Sequence, residues 1–336
     1  LVQQDDNAIF KIYEEKYKTT HKLIPLGIHG DNIDGLNWSD ELCFSQLNQP
    51  FQKDLHKVNS APNINYDHLP KNYLNLKKVT PIISQSAKSP KVTVVIPSYN
   101  RFKYLLNSLN SIRNQTYKNF EVIVVNDRST QEEYYNYNFK ENFGDNFEVL
   151  NLPKNSRSIY GKVAGGGNAR NIAMMLSNSD YISFLDDDDI FLPEKLEFQV
   201  KALENSECKM SCTEAITGSG PMKPEGTYQN WHYNGVYWGG IKNIFTQSNK
   251  LNNFTKMFEG EINIWTKEDI ETHNCCLCST VMISRDIINN AGYFPLKPFA
   301  EDWAYWKNIL NHTNCLYIRK PLSYMDSSHG DGQLYL

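Results

Sequence analysis

Residues 184–191 read FLDDDDIF, four consecutive carboxylates held between apolar residues. Adjacent carboxylates repel one another, and withdrawing them from water makes each ionised form costlier still. Such a run either faces solvent or has a positive partner. A divalent cation suits it: Mg2+ and Mn2+ take hard oxygen ligands, commonly one or two carboxylates together with the phosphates of a substrate. The plainer alternative is helix capping, because LPEKL (192–196) has the look of a helix start, where negative charge is favoured. One cap accounts for Asp189 and leaves Asp186, Asp187 and Asp188 unexplained.

The surrounding pattern says what positions these acids. KVTVVIP (91–97), FEVIVVN (120–126), FEVLNL (147–152) and YISFL (181–185) are continuous apolar runs rich in β-branched residues, as in strands buried on both faces of a parallel sheet. Between the first two, YLLNSLNSIRNQ repeats Leu105, Leu109 and Ile112 at helical spacing, and GGGNARNIAMMLSNS (165–179) opens a helix before the fourth. The alternation βαβαβαβ predicts an α/β fold, Rossmann-like and doubly wound around a mostly parallel sheet, with ligands gathered at the C-terminal ends of its strands. SYNR, NDRS and DDDD stand at three such ends. Spacing alone therefore predicts one crevice lined by Tyr99, Asn100, Asp127 and the carboxylates of 186–189.

Composition narrows the chemistry. The chain has 336 residues and a formal net charge of -4, with its basic residues scattered, so nucleic acid is not an expected partner. No GxGxxG follows the first strand and no GxxxxGK[ST] occurs, which argues against dinucleotide and P-loop phosphate cradles. Seven cysteines are too sparse for a disulfide framework and suit a reducing compartment. HNCCLCS (273–279) has no second CxxC at finger-like spacing and reads as buried free thiols rather than a zinc site. No stretch is long and apolar enough to span a bilayer. A cytoplasmic location is expected, with any membrane association supplied by partners or by segments outside this sequence, which begins at Leu1. Residues 1–76 are polar and 77–91 (KKVTPIISQSAKSPK) resemble a linker.

In order, VTVVIPSYNR, QTYKNFEVIVVNDRS, GNARNIA, YISFLDDDD and AEDWAYW resemble the inverting family 2 nucleotide-sugar glycosyltransferases of GT-A fold, over roughly residues 91–330. The resemblance implies an N-terminal extension at 1–90, a nucleotide-sugar-binding half at 91–205 and an acceptor-binding half at 206–336. It implies that Pro97, Tyr99, Asn100 and Arg101 frame the nucleotide, that Asp127 hydrogen-bonds the base, and that Arg170 approaches the phosphates. Asn126 and Arg128 depart from the family's usual DDGS. The family's DxD falls on Asp186 and Asp188, implying Mn2+ or Mg2+ on Asp188, with Asp186 and His329 as further ligands and Asp187 near the ribose. Glu301 and Asp302 match its acidic pair, with Asp302 as the base that deprotonates a glycan or glycoconjugate hydroxyl and Glu301 touching sugar hydroxyls. The plain alternative for this pair is helix capping. Residues 206–278, with NWHYNGVYWGG, could be a sugar-stacking surface or an aromatic core. A retaining transferase and a non-catalytic nucleotide- or sugar-binding module remain open alternatives.

Overall fold

The computed structural model describes residues 90–163, 166–223, 226–259 and 263–328, so the N-terminal extension and His329 lie outside the described residues. β1 (Val92–Ser98) buries Val92, Val94, Val95 and Ile96 completely. α1 (Phe102–Arg113) packs Leu105, Leu109 and Ile112 into the same core, at the spacing read from sequence. β2 (Phe120–Asn126) follows, then two short helices, α2 (Glu133–Asn136) and α3 (Phe139–Phe143), and β3 (Phe147–Asn151). α4 (Ser156–Tyr160) and α5 (Gly166–Leu176) lead into β4 (Tyr181–Phe184). Beyond the aspartates come β5 (Ile190–Phe191), α6 (Lys195–Glu204), β6 (Met210–Gly218) and β7 (Gln229–Asn230). α7 (Trp238–Gln247), α8 (Leu251–Glu259), β8 (Ile264–Trp265), α9 (Lys267–Thr272) and β9 (Met282–Ser284) follow. α10 (Ile288–Ala291), α11 (Glu301–Ile309) and β10 (Cys315–Asp326) complete the described chain.

The strands form one mixed sheet in the order β3-β2-β1-β4-β9-β6-β10-β5, with β7 on β6 and β8 on β10. β3, β2, β1 and β4 are parallel, as the alternation requires. β9 runs antiparallel to both β4 and β6, while β6 and β10 are parallel. Most paired residues are in the parallel ladders. Ser98 stands beside Asn126 in register, and Val95 beside Phe184, so the chain leaves β1, β2 and β4 along one edge of the sheet.

β6 escapes a reading by periodicity because it places Thr213 and Glu214 inside the molecule. The charge is supported locally. Glu214 accepts the backbone N–H groups of Ala215, His232 and Tyr233, the Tyr317 hydroxyl at 2.8 Å, and lies 3.2 Å from His232 Nδ1. Part of the aromatic stretch packs inward against this network: Trp231 stacks on Tyr237, and His232 and Tyr237 are buried. Tyr233 and Val236 stay exposed and Trp231 and Trp238 are half-buried, so the segment divides between interior and surface.

Candidate functional site at the strand ends

The turn after β1 is locked to the turn after β2. Asn100 Oδ1 accepts the Thr130 N–H at 2.7 Å, and the Asn100 N–H donates to Ser129 Oγ at 2.8 Å. Asn100 and Arg128 both adopt left-handed backbone, at φ 53° and 62°. A side chain there is disfavoured relative to glycine. Arg128, in place of the family's glycine, holds its conformation by bonding the Tyr135 hydroxyl and lying over that ring. Asn126, in place of an acid, acts as donor and acceptor at once: its amide donates to Asn151 Oδ1 and its oxygen accepts the Ser129 N–H.

Asp127 is buried beside this turn. Its Oδ1 accepts both the N–H and the hydroxyl of Ser156 at 2.7 Å, and Asn155 donates to Oδ2 at 3.3 Å. Burial raises its pKa, partly opposed by the Ser156 hydrogen bonds. Pro97 and Tyr99 are half-buried at the same strand end.

The aspartate run turns sharply and distributes its charges among different partners. Arg101 donates to Asp188 at 2.5 Å and to Asp187 at 3.3 Å, while Ser98 donates to Asp187 at 2.6 Å. Arg170 donates to Asp186 at 2.6 Å. Asp186, Asp187 and Asp188 thus find positive partners in two arginines from the chain itself. Ser108 of α1 anchors the turn by donating to the carbonyls of Asp187 and Asp189. Burial, then the Asp188 charge, pushes Asp187 up to about 7 despite Arg101. Burial also raises Asp188, with Arg101 opposing. Of the two readings of Asp189, helix capping is not the one seen: α6 starts at Lys195 after Glu194, and Asp189 accepts from Ser279 in the interior.

The second acidic pair enters through Arg170. This guanidinium is 7% exposed, and it spans Asp186 and Glu301, the latter at 3.0 Å and 131 residues away in sequence. α5 brings it there through glycine: a Cβ at Gly167 would lie 3.2 Å from Glu301 Cγ, so the close approach of α5 and α11 depends on a missing side chain. Asp302 follows on the first turn of α11. Its Oδ1 accepts the Trp303 N–H at 2.7 Å and its Oδ2 accepts from Asn274 at 3.2 Å. Burial, then the charge of Glu301, raises Asp302 to about 6. α11 is itself pinned by Trp303 and Trp306, whose indole N–H groups donate to the carbonyls of Ile270 and Cys276.

Arg101 joins Asp187 and Asp188 directly, and Arg170 ties Asp186 to Glu301, the neighbour of Asp302. Tyr99, Asn100 and Asp127 stand on the neighbouring turns of the same sheet edge. Ser98, Asn274 and Ser279 also belong to this network, and sequence reasoning did not single them out. Their signal was weak because small polar residues next to charged motifs are common. The donor set of Asp186 and Asp188 suits a hard divalent ion in chemistry. Among the described residues no third carboxylate or imidazole converges with them, so such an ion would need substrate oxygens to complete its shell.

The chain is similar to known proteins in sequence and fold. Residues 93–277, just over half of the chain, match the family described as Glycosyl transferase family 2. Over 225 residues the chain is 27% identical to the UDP-Glc:alpha-D-GlcNAc-diphosphoundecaprenol beta-1,3-glucosyltransferase WfaP of Escherichia coli, covering 66% of this chain and 70% of that protein. Over 122 residues it is 38% identical to an uncharacterised glycosyltransferase of Rickettsia bellii, covering 36% of this chain but only 16% of that protein. Two further Rickettsia relatives are matched over 23% and 24% of their length. The crystal structure of S. aureus TarS 1–349 in complex with UDP-GlcNAc has the same fold, with a TM-score of 0.53 at 21% identity over 73% of this chain and 61% of that one. The chain belongs to glycosyl transferase family 2.

Proposed function

We propose that this protein transfers a sugar from a nucleoside diphosphate sugar, with UDP the favoured nucleotide, to a hydroxyl of a glycan or glycoconjugate, with inversion at the anomeric carbon and on a GT-A-type framework. The observation that carries the reading is Arg170, which draws the strand-end acids and the helix-start acids onto one buried guanidinium. A donor phosphate near Asp186 and an acceptor hydroxyl near Asp302 would then face each other across that residue. The name of the WfaP relative, a UDP-glucose enzyme, supports UDP.

Asp302 is the base in this mechanism. With a pKa raised to about 6 it is ionised at neutral pH yet basic enough to take the proton of the attacking hydroxyl. Asn274 and the Trp303 N–H fix its two oxygens, so the carboxylate need not reorganise as the proton arrives. Asp188 and Asp186 would hold Mn2+ or Mg2+, which when bound neutralises the diphosphate and eases its departure as a Lewis acid. Arg101 and Arg170 add fixed positive charge at the same place. Tyr99 would stack on the base, and Asp127, through the oxygen not held by Ser156, would accept from it. Phe299, 58% exposed two residues before Glu301, offers an aromatic face to the acceptor.

The test is a panel of nucleotide sugars with Mn2+ and candidate glycan acceptors, with the anomeric configuration of the product read by NMR. Inversion is expected. A retained configuration would replace this mechanism with a retaining one. Donor binding without transfer or hydrolysis across the panel would make the protein a binding module.

A further inference from the structure

Behind the acidic crevice the sheet gathers three thiols from distant parts of the chain. Cys212 lies on β6, Cys315 begins β10, and Cys276 lies in the segment between α9 and β9. All three are 0% exposed, and their sulfurs lie within 4.8 Å of one another. Cys276 Sγ is 3.6 Å from Cys212 Sγ and 3.8 Å from Cys315 Sγ. Three sulfurs bound to one tetrahedral ion at about 2.3 Å are separated by about 3.8 Å, so the thiols already stand near the spacing of a face of such a site. We propose that Cys212, Cys276 and Cys315 form a structural site for one thiophilic d10 metal ion of the Zn2+ or Cu+ class. This proposal stands apart from the sugar-transfer reading and uses none of its residues.

Charge supports the assignment. Three buried thiolates need compensation, and soft sulfur ligands select Zn2+ and Cu+ over the hard ions suited to the aspartates. Lys195 is also 0% exposed. Its nitrogen donates to Ser183 and Gln199, and burial lowers its pKa well below the ordinary lysine range, so the compensation of the thiolates falls to the bound ion. Binding would release the protons of the thiols, and because the cluster is closed to solvent the ion would enter during folding.

The site would brace the crevice from behind. It would tie β6 and β10 to the segment whose Asn274 holds Asp302, whose Cys276 carbonyl accepts from Trp306, and whose Ser279 bonds Asp189.

The test is elemental analysis of the full chain purified without chelator, and again after refolding with Zn2+, with Cu+ under reducing conditions, or with Co2+. About one Zn or Cu per chain is expected, the element present telling the two apart. The Co2+ form should show thiolate-to-metal charge transfer, and X-ray absorption should show a sulfur shell near about 2.3 Å. Cys276→Ser should lose the metal, whereas Cys208→Ser and Asp188→Asn should keep it. Should Cys276→Ser fail to fold, the sulfur shell and charge-transfer bands of the unmodified chain decide. Substoichiometric metal in every preparation would overturn the site in favour of three packed thiols. So would an oxygen-only shell, or loss of metal on Asp188→Asn, which would assign the ion to the acidic loop.

Discussion

Asp302→Asn keeps the shape of the side chain and an oxygen that can still accept the Trp303 N–H, so it separates proton transfer from helix support. If Asp302 deprotonates the acceptor, turnover should fall by at least about 10²-fold while UDP affinity stays near the parent value. Turnover above half the parent rate, at saturating donor, would exclude Asp302 as the base. The pH profile gives a second reading of the same group. The base must be ionised, so kcat/KM should rise through pH about 6 and level off above it. Stability should respond with the opposite sense. The folded state holds this proton more tightly than the unfolded chain, so the contribution of Asp302 is fully present below the ordinary aspartate range and is lost as pH rises through about 6. Thermal melts of Asp302→Asn across that range should lack this part of the decline. On the donor side, Tyr99→Ala should weaken UDP binding by about 1–3 kcal/mol if the ring stacks on the base. Unchanged affinity in calorimetry, with a native circular dichroism spectrum, would mean that Tyr99 serves another purpose.

The elements place these residues by means that cost conformational freedom. α11 starts from Ala300 in left-handed backbone, φ 52°, and Ala300 offers no side-chain cap. Its first-turn acids instead accept from Trp303 and pair with Arg170. Ala300→Gly should relieve the strain and raise stability by about 0.5–1 kcal/mol, measured by denaturant unfolding. An unchanged or lowered stability would show that the surrounding contacts already absorb it. The elements also show where local pattern is a reliable guide. FEVIVVN becomes a strand over the residues expected, Phe120–Asn126, because Val122 to Val125 form an uninterrupted buried apolar run and Glu121, at its start, is only partly buried. MSCTEAIT is as deeply buried, yet Glu214 and Thr213 conceal it, since the partners that make a buried glutamate tolerable come from His232, Tyr233 and Tyr317.

For the molecule as a whole, the density of negative charge at one edge of the sheet leads to a test of metal dependence. Diphosphate brought to this edge meets Asp186, Asp187 and Asp188 as well as the two arginines that already serve them. UDP affinity should therefore fall by about tenfold or more when Mn2+ is replaced by chelator. Equal affinity in the two calorimetric titrations would remove the aspartates from a metal-holding role.

The sequence by itself determined the first four strands, the helix that follows β1, and the edge on which the chemistry collects. These depend on runs of apolar residues and on which residues come immediately after them, both properties of neighbours along the chain. It also identified the family, through motifs whose order survives without coordinates. Tertiary structure alone decided that the countercharge for the aspartates comes from Arg101 and Arg170, that Asn274 holds Asp302, and that Cys212, Cys276 and Cys315 meet. Each of those contacts joins separate elements: Arg101 reaches the aspartates because β1 lies beside β4, and the thiols meet because β9 lies antiparallel to β4 and β6 and β10 is laid parallel against β6. Local hydrophobic period specifies that a strand is buried and on which faces; it carries no information about which strand lies beside it, and that choice brings distant charges and thiols into contact.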